Sequence, residues 1–157
     1  MATLLPHCAC IIWSSVLSCS WIVVERQEDR CAGILLSTVG KRAFVLNGLL
    51  HILRPFITLL CAGTPAYLLC AVLLGDVVLG IVLVTVLATA LAFCSILGLW
   101  LSISVRSGVV AVAASVLLST AALLLAPLYE NVFIIMVVSA PLLLRSSIKA
   151  LQTGRCS

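Results

Sequence analysis

Residues 77–103 read VVLGIVLVTVLATALAFCSILGLWLSI, a run without a single acid, base or proline. A bilayer's hydrocarbon core takes about 20 apolar residues as a helix, with a usable range near 17–25. A run this long and this greasy therefore reads as a transmembrane helix. Working outward, the chain offers four more. Residues 8–24 (CACIIWSSVLSCSWIVV) come first. They are followed by 55–74, opened by Pro55 and interrupted by Pro65, where a kink is expected because a helical proline frees a backbone carbonyl. Residues 108–128 form the next run. The last covers 132–144 and spans the membrane if its helix continues to about 148 and Arg145 snorkels to the headgroups.

The remaining composition fits that class. Of 157 residues, 64% are hydrophobic and 9% charged, with a mean hydropathy of +1.34. Soluble domains carry roughly 25% charged residues, so this chain lacks the polar surface that a water-soluble fold needs. The fold class expected is an all-α integral membrane protein of about five transmembrane helices, forming one domain over residues 1–157. Residues 25–54 form a cytoplasmic amphipathic segment in this reading. Residues 8–24 are expected to be a retained span and not a secretory signal, because the charges follow the run instead of preceding it.

Charge placement gives a topology. With residues 25–54 in the cytoplasm and five spans threaded, all nine basic residues fall inside: Arg26, Arg30, Lys41, Arg42, Arg54, Arg106, Arg145, Lys149 and Arg155. Asp76 and Glu130 are left outside as solvated turn residues. This is the pattern of the positive-inside rule. It predicts a multi-pass protein of the cell's inner (plasma) membrane, N-terminus outside and C-terminus cytoplasmic, with the lipid bilayer as its surroundings. Nucleic acid is not an expected partner, since no basic stripe with interleaved aromatics exists.

Catalytic chemistry finds few residues to work with. Gly40-Lys41 has the look of a phosphate loop, but Leu35 stands where the upstream glycine belongs and Arg42 replaces the hydroxyl residue. His7 and His51 fall on opposite sides of the membrane. The eight cysteines include no C-x-x-C pair, and His7-Cys8-Ala9-Cys10 falls short of the four ligands of a structural zinc site. No catalytic residue and no metal site is expected. Small residues mark packing faces instead. Gly108, Ala111, Ser115, Ser119 and Ala122 recur at three or four in the fourth span, and Ala88 and Ala92 do so in the third.

The charged island has helical logic of its own. Leu35, Leu36, Val39, Ala43, Leu46, Leu50 and Leu53 recur at steps of three and four, with Lys41, Arg42, Asn47 and Arg54 around the other side. That spacing predicts an amphipathic segment lying along the membrane interface, or at the least a cationic anchor for the next span.

Glu25-Arg26-Gln27, Leu35-Leu36-Ser37-Thr38 and the run into Leu53-Arg54-Pro55 resemble the ABC transporter type 2 permease family. That family carries an E-R-x-x-G-T…L-L-x-T-P stretch between two membrane helices. Gly98-Leu99-Trp100-Leu101-Ser102 and the basic tail Arg145–Arg155 are similar to its later segments. This chain has Asp29-Arg30 near the place of Gly-Thr and Val39 in place of the proline. It has no counterpart of the family's first helix, so the resemblance implies a truncated, diverged or inactive member. The resemblance implies a coupling segment that contacts an ABC ATPase subunit through Glu25, Arg26, Glu28, Leu35, Leu36, Ser37, Thr38, Lys41 and Arg42. It also implies a homo- or heterodimer with a second permease chain. ATP would be bound and hydrolysed on the separate subunit, so this chain would hold no cofactor directly and would not itself be an enzyme. The alternative reading is a small helical membrane scaffold or assembly protein without transport activity.

Overall fold

A computed structural model of the chain describes residues 4–27, 41–105, 107–125 and 130–152. Among these residues the regular structure is entirely helical. Five helices follow in order: α1 (Leu4–Gln27), α2 (Lys41–Leu73), α3 (Val77–Ser104), α4 (Gly108–Leu125) and α5 (Glu130–Gln152). Three contain stretches long and apolar enough to cross a membrane: His7–Val24, Ala43–Leu73 and Val77–Ser104. α4 is a shorter apolar helix, Gly108–Leu124. α5 runs past Arg145 to Gln152, so the last apolar run does continue as helix. The build is that of a helical membrane protein.

α2 and α3 form a hairpin whose turn is written into four residues. Gly75 adopts φ 77°, a left-handed conformation that costs a residue with a Cβ roughly 1–2 kcal/mol. Its N–H donates to the Val72 carbonyl at 3.0 Å, and the Asp76 N–H donates to the Ala71 carbonyl at 2.9 Å. These two bonds close the C-terminus of α2 as a Schellman motif. Asp76 then caps the next helix, its carboxylate accepting from the Leu79 N–H at 3.0 Å. One short stretch thus satisfies backbone groups at both helix ends.

α3 is the hub, touching each of the other four helices. α1 also packs on α2 and α4, and α2 also packs on α5. Close contacts fix the directions. Gly48 lies under the ring of Trp21, while Gly63 lies under His7, so α1 and α2 run antiparallel. Gly80 meets Ala71 across the hairpin, and Gly108 at the start of α4 meets Val23 near the end of α1. At one end Ile22, Val45, Leu99 and Ile103 form a buried cluster, closed over by Trp21, Phe44, Leu144 and Ile148. The larger cluster, from Ile11 and Leu53 to Tyr67, Leu87 and Leu91, fills the rest. Leu144 bridges both.

Two expectations change here. Residues 41–54 do not form a separate amphipathic helix, because α2 begins at Lys41 and runs unbroken through Pro55 and Pro65. Pro55 is therefore an interior residue and not a helix opener. Of the apolar set Ala43, Leu46, Leu50 and Leu53, only Leu53 is buried. The inward face is Val45, Leu49 and Leu53, selected by the surfaces that α1 and α3 present.

Replacing Gly75 with alanine should cost about 1–2 kcal/mol, since a Cβ there meets no atom and the penalty is purely conformational. Replacing Gly98 with valine should be far more damaging, because any Cβ at that position drives into the Ser15 backbone. Unfolding of both variants in detergent, compared with wild type, reads the contrast.

Candidate functional site

The most distinctive chemistry of the interior is a seam of hydroxyls where α1, α3 and α4 meet. On α1, Ile11, Ser14, Ser15, Ser18, Cys19 and Ile22 recur at steps of three and four and are all buried. α1 thus turns a serine face inward and leaves Trp13 exposed. Ser95 on α3 and Ser115 and Ser119 on α4 are fully buried as well.

Adjacent serines on α1 reach different helices. Ser14 shares a hydrogen bond with Ser95 of α3, Oγ to Oγ at 3.0 Å. Ser15 shares one with Ser115 of α4 at 2.6 Å, and the Ser119 hydroxyl donates to Ser15 at 3.0 Å. Gly98 permits this approach, because its missing side chain lets the Ser15 backbone lie against α3. A serine hydroxyl has one proton and two acceptor positions, so Ser15 can serve both α4 serines at once. Several of these side chains also bond back to their own helix. Ser14 donates to the Ile11 carbonyl at 2.7 Å, Ser18 to the Ser14 carbonyl at 2.8 Å, and Ser95 to the Leu91 carbonyl at 2.8 Å. Where Ser14 meets Ser95, then, the intrahelical and interhelical bonds compete for protons.

A second polar tie joins α1 to α2. Tyr67 and His7 share a hydrogen bond at 2.7 Å through His7 Nδ1, with the rings edge to face. Gly63 makes space for this histidine, since a Cβ there would sit 2.8 Å from His7 Nε2. Beside it lies a small apolar niche lined by Cys10, Ile11, Phe56, Leu60, Leu87 and Leu91.

The expected packing residues separate into two groups. Ala111, Ser115 and Ser119 are buried with essentially no exposure, and Gly108 abuts Val23; Ala122 is half-buried. Ala88 and Ala92 face outward instead. The inward small residues of α3 are Gly80, Ala90, Cys94, Ser95, Gly98 and Ser102. Among the expected coupling residues, Glu25 and Arg26 lie in the last turn of α1, and Lys41 and Arg42 open α2. Glu28, Leu35, Leu36, Ser37 and Thr38 lie outside the described residues. The serine face of α1 went unnoticed in the sequence, although Ser14, Ser15, Ser18 and Cys19 carry a helical spacing that could have revealed it.

Chemically, the seam positions helices. The partners described for Ser14, Ser15 and Ser119 are hydroxyls, backbone carbonyls and the Cys94 thiol, none of which is a base that would activate a serine. Among the described residues no group of three or more His, Cys, Asp or Glu side chains gathers to hold a metal.

Hydrogen bonds between membrane helices average about 0.6 kcal/mol, with a maximum near 1.7. Ser15→Ala should therefore destabilise the bundle by about 1 kcal/mol, and the Ser15→Ala/Ser115→Ala pair should show a measurable coupling energy in a double-mutant unfolding cycle. Ser20→Ala, which removes a bond only to the Leu17 carbonyl of its own helix, should change stability little.

Compared with known proteins, the chain matches no family model, no curated protein and no solved structure.

Proposed function

We propose that this chain is the transmembrane permease subunit of an ABC transporter of the exporter type, moving its substrate on ATP hydrolysis by a separate subunit. The observation that carries this reading is where the two ends of the charged island are held. α1 ends at Gln27 and α2 begins at Lys41, at the same end of the bundle, where Trp21 packs on Phe44 and Gly48. Both helices are locked together by the cluster of Ile22, Val45, Leu99 and Ile103. A contact made on residues 28–40 would therefore push on two packed helices, as rigid-body transmission requires. The motif resemblance over residues 25–54 points the same way. The exposed apolar residues Val24, Leu46, Leu50, Val109 and Val110 add surface for a protein partner at this end. A second permease chain would complete the pathway.

A second reading, a membrane scaffold or assembly protein, is favoured by the packed serine seam, which fills the α1–α3–α4 junction with helix-to-helix contacts.

The two readings part on a binding experiment. Leu36→Asp or Glu25→Lys should abolish co-purification with an ABC ATPase while leaving membrane insertion intact. Retention of the ATPase by both variants at wild-type levels defeats the coupling reading, and a wild-type chain that purifies with no ATPase favours the scaffold. Separately, cysteines placed at positions 76 and 149 should label from opposite sides of the membrane, position 149 from the cytoplasm.

A further inference from the structure

The outward faces of α2 and α5 change character at one height. The contacts of Trp21 with Gly48 and of His7 with Gly63 bracket α2 against α1. Arg54 lies between those glycines, level with Ser15. On α5, Leu144 bridges the two buried clusters, where Ile96 and Leu99 of α3 divide them, so Arg145 stands at about the height of Arg54. Both arginines are exposed, and each points away from the buried face of its own helix.

Charged side chains divide across this plane. On the side of the Ile22, Val45, Leu99 and Ile103 cluster, the exposed residues include Asn47 and His51, interspersed with Leu46 and Leu50, on α2 and Ser146 and Lys149 on α5. On the other side the exposed large residues are apolar. α2 shows Ile57, Leu59, Leu69, Val72 and Leu73, and α5 shows Ile134, Ile135, Val138 and Leu142. From Arg54 to the last helical residue, Leu73, the helix rises about 29 Å at 1.5 Å per residue. That matches the roughly 30 Å of a bilayer's hydrocarbon core. Among acidic residues whose side chains are described, Asp76 alone remains, and it sits beyond the far end of that distance, at the hairpin turn.

We propose that phospholipid phosphates bind the bundle in the plane of Arg54 and Arg145, with Asn47 and His51 flanking Arg54, and that this plane is one boundary of the hydrocarbon core. Two cations at one height, facing outward from two helices, match a layer of headgroups that surrounds the bundle. Acyl chains lie along the apolar residues between the plane and the Gly75 turn. The plane cuts α1 beside Ser15, midway along a stretch that hydropathy alone sets across the membrane. The ends of the helices around Ile22, Val45 and Ile103 consequently stand outside the hydrocarbon. This placement is independent of the transporter reading.

Two measurements on the full chain in lipid nanodiscs test it. With phosphatidylglycerol as the anionic probe and phosphatidylcholine as the reference, Arg54→Gln and Arg145→Gln should each lower the preference for the anionic lipid about fivefold, the effect of losing about 1 kcal/mol per basic residue. Arg54→Lys should retain it, and helix content by circular dichroism should not change. An unchanged preference in the double glutamine variant overturns the proposal. So does loss of a co-purified acidic membrane protein in that variant while the lipid preference persists. The second measurement is depth. In single-tryptophan chains, Trp21 should be quenched by aqueous iodide and Trp13 by bromines near the lipid carbonyls. Strongest quenching of Trp13 by bromines near the acyl-chain ends places the plane at the bilayer centre and also overturns it.

Discussion

The contact on which the rest of this bundle depends is the approach of the Ser15 backbone to Gly98. Lipid is as apolar as leucine, so hydrophobic burial gives little reason for one membrane helix to prefer another over its solvent. Close packing and interhelical hydrogen bonds must supply the preference. With no side chain at Gly98, α1 can lie against α3, and Ser14 and Ser15 then reach Ser95 on one side and Ser115 and Ser119 on the other. Each bond is individually modest. Together they specify which faces of three helices meet and at what height.

Glycines repeat that device at the other contacts. Gly48 accommodates Trp21, Gly63 accommodates His7, Gly80 meets Ala71, and Gly108 meets Val23. Each brings a neighbouring side chain against a backbone that has no Cβ to repel it. Dispersion rises steeply as surfaces close to contact distance, so these positions convert small residues into attraction. The periphery needs no such matching. Leu73 and Leu74 are each 77% exposed, as suits residues that face acyl chains.

Much of the architecture was legible because of length and punctuation. The run at residues 77–103 appears as α3 nearly residue for residue, and Gly75-Asp76 turns where expected. The spacing of Ala111, Ser115 and Ser119 lies on the face that meets α1. Legibility fell where azimuth and height mattered. Ala88 and Ala92 have the same spacing as the α4 set yet face outward, and Ala43, Leu46 and Leu50 do likewise. In a soluble helix the polar side marks the outside. Here both sides are apolar, so periodicity finds a stripe without saying what it faces. Arg54 shows the same limit in the other dimension. Linear order puts it at the edge of a run, whereas its neighbours put it level with the middle of α1.

By itself, the sequence determined that this chain is helical and suited to a membrane. Apolar runs of bilayer length leave backbone groups no partner but their own helix, and a glycine followed by an aspartate dictates a hairpin. Only the tertiary structure decided that α3 is the hub, that a serine face of α1 joins α3 to α4, and that α2 continues unbroken from Lys41. Those outcomes depend on shape at single positions, a missing Cβ or a hydroxyl within 3 Å of another. Such complementarity exists only between helices and is invisible along one of them.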